Sequence, residues 1–390
     1  MIENRYFTEI GYLSLNHVGE ELCGDHIEII SPNPDTKILV LADGLGSGVK
    51  ANILSTLTAE MLSTLMANQL PIDECVRYIA KTLPICKVRG VAYSTFTIIK
   101  IIKNKYVDIY NYDNPTPFMI HDGKVKEIKF DEIVIDNKKI YHANLEASLY
   151  DTFFLMSDGV KYAGVGETLN FGWDLPEIHD FAEALYHTSY SSKSLATILI
   201  DHCNELYNHR PGDDTTCAVI RIREHSQANL MIGPPTNKDD DERMLSLFFA
   251  KPGKHIVCGG TTSNIVANFL HQELELALDY VDKDIPPTSF IEGVDLVTEG
   301  VITLNRVLEY AKNYLTTNND YFNWSYKQDG ASLIAKILFE EATDINFFVG
   351  CAVNQAHQDE KINIKFKMQL IDELTKLLKE MGKTVNVTYY

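Results

Sequence analysis

Four short aspartate-bearing turns, CGDH, LADGLGSG, FLMSDGV and PGDDTT, recur through the first half of the chain, and three of them adjoin apolar runs of strand length. In TKILVLADG, from Thr36 to Gly44, the run is short, apolar and closed by a turn, as buried strands are. An aspartate at such a strand end projects its carboxylate from the rim of a sheet. A fold that gathers several of these rims brings like charges together, and that arrangement needs compensation. A single Asp-Gly pair marks only a turn. The number and order of the set are what carry information.

The segments between these turns fix the fold class. After GLGSG, the stretch KANILSTLTAEMLSTLMANQ places Ile53, Leu54, Leu57, Met61, Leu62 and Leu65 at helical spacing, which predicts a helix with these residues on its apolar face. A second helix is predicted from Ile72 to Thr82. STFTIIKII, NKYVDIYNYD, TPFMIHDGKVKEIKF and DTFFLMSDG read as successive strands, several joined by Gly, Asn or Asp turns. Helices return from Asp174 to Tyr186 and from Ser194 to Tyr207, and DDTTCAVIRIRE closes this half as a strand. Strands and helices come in blocks rather than in strict alternation, which predicts an α+β layered fold.

At 390 residues, two domains are expected. The composition shifts near Glu224, where Pro234, Pro235 and the acids Asp239 to Glu242 follow closely. The boundary is placed at about residue 226, giving units of 1–226 and 227–390. In the second unit, strands over Asn229–Ile232, His255–Cys258 and Ile345–Val353 alternate with helices over Asp241–Ala250, Ser263–Leu276, Val301–Leu315 and Lys367–Met381. This pattern predicts a smaller α/β domain with an open sheet.

Composition excludes several classes of function. The formal net charge of −19 disfavours nucleic acid and anionic membranes as partners, since phosphate-tracking surfaces need clustered Lys and Arg. An acidic chain suits divalent cations, although an acidic solvated surface accounts for the same balance. No apolar run reaches the ~20 residues that span a bilayer, and the charged MIENRYFTEI is unlike a secretory signal. The seven cysteines are odd in number and lie mostly among apolar neighbours; with no CxxC spacing, they read as reduced core residues in a cytoplasmic protein.

The aspartates of the four turns are Asp25, Asp43, Asp158 and the Asp213–Asp214 pair. Carboxylates without imidazole or thiolate companions are the ligand set of hard cations such as magnesium and manganese. In this order the motifs resemble the protein phosphatase 2C superfamily, and within it the bacterial stage II sporulation protein E (SpoIIE) type, over residues ~10–222. The marks are Gly24-Asp25, the DGxGxG of Asp43 to Gly48, Ser94 to Phe96, Asn114 to Pro117, the SDGV from Ser157 to Val160, and the DD-x-T from Asp213 to Thr216.

The resemblance implies a four-layer α-β-β-α sandwich and a binuclear manganese or magnesium centre. Asp43 would bridge both cations, with Asp25 and the Gly44 carbonyl on one side and Asp158 and Asp213 on the other. Asp214 would orient a water from just behind them. These residues would serve hydrolysis of phosphoserine or phosphothreonine on a partner protein, by family analogy a small anti-anti-sigma-type regulator. Ser47 stands where it could cap the following helix.

The chain departs from the family pattern in places. Thr215 replaces a bulky residue, Asn114 to Pro117 matches loosely and reads as structural, and neither Arg5 nor Arg89 is assigned a phosphate-gripping role. His17 and His26 read as packing or surface residues rather than a proton relay. In the second unit, CGGTTS (Gly259, Gly260, Thr261, Thr262, Ser263) and VTEG (Thr298, Glu299, Gly300) each read as a strand-turn-helix that could hold a small anionic ligand, with a plain capped helix as the simpler alternative. A regulatory role is expected for this unit. The rival reading of the whole is a non-catalytic regulator that uses the phosphatase fold as a binding module; such a protein would be expected to lack one of the metal aspartates, and none is missing.

Overall fold

The computed structural model describes residues 6–33, 35–83, 94–276, 281–316, 324–325, 327–352 and 360–390. Arg5 and Arg89 lie outside them. The chain divides into two compact units, Met1–Glu224 and His225–Tyr390.

The first unit is built on two antiparallel sheets. One runs β1 (Tyr6–Leu15), β11 (Thr215–Glu224), β10 (Thr152–Met156), β6 (Phe118–His121), β7 (Lys124–Lys126). The other runs β2 (Asp25–Asn33), β3 (Thr36–Asp43), β4 (Thr95–Ile102), β5 (Tyr106–Tyr112), β9 (Lys138–Glu146), β8 (Asp131–Ile135). Their facing sides share a core in which Leu39, Leu41, Ile99 and Ile109 of the second sheet meet Met119, Phe153, Leu155 and Ile220 of the first. Strands buried on both faces read as continuous apolar runs, which is why β3 and β10 carry no polar alternation.

The outer faces are covered by helices. Helices α1 (Gly48–Ala67) and α2 (Ile72–Thr82) close over Ile38, Val40, Phe96 and Ile98. Helices α4 (Leu175–Leu185) and α5 (Ser192–Leu206), together with the short α3 (Asp158–Lys161), close over Phe118, Phe154, Met156 and Val219. The layers are therefore helix, sheet, sheet, helix. Local caps set two of the helix starts: Asp174 accepts from the Glu177 amide at 3.1 Å, and Ser191 from the Ser194 amide at 3.1 Å.

Helix α1 corrects the expected apolar face at two of its six residues; Leu54, Met61, Leu62 and Leu65 pack on the core as expected. Ala51, Ser55, Thr58, Ala59, Leu62, Ser63 and Met66 are buried, while Ile53 and Leu57 are 54% and 39% exposed. Small and hydroxylated residues let the helix lie close against β2 and β3, and Thr58 returns its hydroxyl to the Leu54 carbonyl at 2.8 Å. Ser47 does not cap α1 with its side chain. The segment Asn114–Pro117 is structural: Asn114 is buried, accepts from the Thr95 hydroxyl at 2.7 Å and donates to that of Thr97 at 3.0 Å.

The second unit is a sheet in the order β14 (Glu275–Leu276), β15 (Ser289–Phe290), β16 (Leu296–Thr298), β13 (Lys254–Cys258), β12 (Gln227–Ile232), β17 (Asp344–Val349), β18 (Thr384–Tyr389). The five strands from β16 to β18 are parallel. Helices α6 (Asp241–Phe249) and α7 (Gly260–Leu270) pack on one face against Met231, Val257 and Phe348. Helices α8 (Val301–Thr316), α9 (Gly330–Ala335) and α10 (Glu360–Glu380) pack on the other against Leu230, Ile256 and Phe347. The sheet is thus doubly wound, and its strand order reverses between β12 and β17. Two expectations need correction here: α7 ends at Leu270 and Glu275–Leu276 is a strand, and β17 ends at Val349. The end proposed for the latter, Val353, lies outside the described residues.

Candidate metal centre

The four turns meet at one rim. Strands β2 and β3 pair so that Asp25 stands directly opposite Asp43. The Gly44 amide donates to the Gly24 carbonyl at 3.1 Å, holding the two turns together just past the pair. From the other sheet, β10 and β11 bring Ser157 beside Thr216: the Ser157 amide donates to the Thr216 carbonyl at 3.0 Å, and the Thr216 amide to the Ser157 hydroxyl at 2.9 Å. Asp158 follows the first of these residues, and Asp213 and Asp214 precede the second.

Asp214 ties the two rims. Its Oδ1 accepts from the His17 amide at 3.0 Å, and its own amide donates to Asp213 Oδ1 at 2.9 Å. Its Oδ2 faces Gly24 so closely that a β-carbon there would lie 2.5 Å away, so any side chain at that position would displace the carboxylate. The Gly24–Asp25 motif therefore supplies clearance as well as a carboxylate.

The electrostatics are those of crowded acids. Burial pushes the Asp43 carboxyl up to about 10, and Asp25, Asp158 and Asp213 add to the shift. Asp25 is raised to about 7, first by burial and then by Asp214 and Asp158, while the Ser157 and Thr216 hydroxyls pull the other way. Asp213 is raised to about 6 by burial and by Asp158, offset by the Asp214 amide. Among the described residues, neither oxygen of Asp25 has a hydrogen-bond partner, nor has Asp214 Oδ2, although all three are buried.

Among the described residues, no three His, Cys, Asp or Glu side chains stand close enough to grip an ion as they are. The residues nevertheless fit a hard divalent cation on two counts. The donor set is carboxylate oxygen throughout, and the orphaned, mutually repelling oxygens ask for positive charge. Cys23 stands next to Asp25 with its thiol pushed up by burial and by Asp25, which keeps it protonated and poorly suited as a ligand or nucleophile.

Ser157, Thr216 and Tyr207 were not singled out by the sequence. The first two lie within recognised motifs and could have been found as hydroxyls flanking an aspartate. Tyr207 had no signal: it arrives from the end of α5, almost fully buried, and donates to the Gly159 carbonyl at 2.8 Å, bracing the Asp158 turn. His17 and His26 stand outside the carboxylate set. His17 contributes its amide to Asp214, and the His26 ring pairs with Glu28 at 3.4 Å.

Residues 33–223 match the family model of stage II sporulation protein E (SpoIIE). No curated protein sequence matches the chain. Among solved structures, the chain is similar to the phosphatase domain of the cell fate determinant SpoIIE from Bacillus subtilis, at 15% identity and TM-score 0.45, covering 57% of this chain and 95% of that one. It is also similar to the RsbU and RsbW domains of a Mycobacterium tuberculosis protein, at 15% identity and TM-score 0.47, covering 62% and 70%. A third is RsbX in complex with magnesium, at 17% identity and TM-score 0.39, covering 55% and 95%.

Proposed function

On the premise that residues 33–223 form a SpoIIE-type domain, we propose that the chain is a metal-dependent protein serine/threonine phosphatase. The observation that carries this reading is the meeting of Asp25, Asp43, Asp158, Asp213 and Asp214 at one rim, with buried oxygens that no group among the described residues satisfies.

Asp43, at the end of β3, would hold two divalent cations, manganese or magnesium, together with Asp25, Asp158, Asp213 and the Gly44 carbonyl. When bound, such cations acidify a water and neutralise charge on a phosphoester. Asp214, held by the His17 amide, would accept from and orient that water. The nearby hydroxyls of Ser157 and Thr216 favour the charged form of Asp25. Burial and Asp25 push the Cys23 thiol up, which disfavours it as a nucleophile. The substrate would be a phosphoserine or phosphothreonine protein, by family analogy an anti-anti-sigma-type regulator.

Hydrolysis of p-nitrophenyl phosphate tests the reading. Turnover is expected with manganese or magnesium, none with chelator, and a loss of at least about a hundredfold in Asp43→Asn and in Asp158→Asn. A folded wild-type protein silent with both metals would instead favour a binding module.

A further inference from the structure

Lys367, on α10, is a charged residue that the phosphatase site does not use. Its side chain is 92% buried (8% exposed), and its ammonium donates to the Gly350 carbonyl. Among the described residues, no carboxylate forms an ion pair with it; burial lowers its basicity, and the Cys351 thiol is the one ionisable group that opposes this. An ammonium buried against one carbonyl with, among the described residues, no counter-charge costs stability, and a bound anion would offset that cost.

Its position matters as much as its burial. Strands β12 and β17 are neighbours and parallel, and they are the pair at which the sheet reverses direction. Ligands of open parallel sheets sit outside the carboxyl ends of the strands at this switch point. Gly233 follows β12 and Gly350 follows β17, and both are needed there. Gly233 has φ +79°, and a β-carbon on it would lie 2.6 Å from the Lys367 ammonium; one on Gly350 would overlap the carbonyls of Gly233 and Pro234.

A third element closes on the same point. The Gly233 amide donates to Thr262 Oγ1 at 3.0 Å, which ties the β12 turn to the first turn of the 11-residue helix α7. No side chain caps that helix, and a side chain at Gly260 would meet open space. The turn after β16 lies beside it, with the Gly259 amide donating to the Thr298 carbonyl at 2.9 Å. That second turn is self-satisfied, because the Glu299 carboxylate takes the Gly300 amide. The anion-favouring groups therefore lie on the β12–β17 side. Gly233 and Thr262 also border a small cleft with Asp241, whose Oδ1 is buried and unpartnered.

We propose that the second unit binds a small anion, a phosphate or a carboxylate, at the β12–β17 switch point, with Lys367 as its counter-charge and the start of α7 as a second contact. The site is separate from the carboxylate centre and stands or falls independently of phosphatase activity.

The test is thermal unfolding of the full-length chain in chelator, so that no metal at the aspartate rim can hold phosphate. The probes are inorganic phosphate, glycerol 3-phosphate and L-glutamate, against sodium chloride at equal ionic strength. A saturable rise in midpoint is expected for at least one probe, with the half-effect concentration raised about tenfold or more in Lys367→Met. Without any probe, Lys367→Met is expected to unfold at a higher temperature than wild type, as residues kept for binding cost stability. Three flat titrations, or an undiminished response in the variant, would overturn the proposal. So would a variant less stable than wild type without ligand, which would make Lys367 a structural staple. If the variant does not fold, acylation of the wild type read by mass spectrometry decides. Protection of Lys367 by the probe, with Lys376 unchanged as the exposed reference, supports the site, and equal labelling of Lys367 with and without the probe sinks it.

Discussion

Asp43 illustrates how function and stability oppose each other at single residues. Its carboxyl is buried and surrounded by Asp25, Asp158 and Asp213, so in the absence of cations it destabilises the fold. Asp43→Asn keeps nearly the same shape and removes the cost of holding that carboxyl protonated at neutral pH. The variant's metal-free form is expected to melt several degrees above wild type, at about 2–4 °C per kcal/mol for a unit of this size. Wild type should gain in midpoint when manganese is added, and the variant should not. Scanning calorimetry with and without manganese checks both, and it needs no turnover. Asp201, on α5, offers a contrast away from the site. Burial and Glu205 raise its carboxyl to about 6 from 3.8. A raised carboxyl contributes stability below its unfolded value, and that contribution is lost as pH rises through about 6. Asp201→Asn is therefore expected to raise the midpoint at pH 7–8 and to leave it nearly unchanged near pH 4. A higher midpoint at both pH values would mean that the side chain acts through packing, not charge.

Among the elements, α1 shows where pattern reading succeeds and where it stops. Its existence followed from helical spacing, and α2 was placed from Ile72 to Thr82 as observed. Its inward face was placed in part: Leu54, Met61, Leu62 and Leu65 pack on the core as expected, whereas Ile53 and Leu57 outweigh Ala51, Ser55 and Ala59 on any hydropathy count and yet face outward. Close approach to β2 and β3 selects small residues, and periodicity of large apolar ones cannot register that. Ile53→Gln should change stability by less than about 0.5 kcal/mol. Ala59→Leu, at a fully buried position, should cost about 1–3 kcal/mol through overpacking. Urea denaturation separates the two, and equal effects would contradict the face assignment. The turns were legible for the opposite reason. Asp25, Asp43, Asp158, Asp213 and Asp214 are set by local sequence at strand ends, so their chemistry can be read without the fold. Their partners could not be read in this way. Asp25 faces Asp43 because of strand register, and Tyr207 meets Gly159 across 48 residues of chain; neither relation leaves a mark in a single sequence. In the second unit, β13 and β17 were visible as apolar runs. The strands β14 and β15, of two residues each, and the helix α9, of six, are too short for any period to show.

At the scale of the molecule, each of the five apolar cores found among the described residues lies within one unit. Three belong to Met1–Glu224, between and outside its two sheets, and two to His225–Tyr390, on either face of the parallel sheet. A core that borrows nothing from beyond residue 224 has what a domain needs to fold alone. Every carboxylate of the proposed centre lies in that first unit as well. A chain of residues 1–224 is therefore expected to unfold cooperatively and to hydrolyse p-nitrophenyl phosphate with manganese. Its rate relative to the full chain then bears on the expected regulatory role of the second unit. A rate that differs several-fold, and a full-chain rate that alone responds to phosphate or glutamate, would mean that occupancy at the Lys367 site is communicated to the centre. Equal rates, unaffected by either probe, would leave the second unit as a binding domain without control over hydrolysis. Failure of residues 1–224 to fold would show that the division into two cores understates what each unit needs from the other.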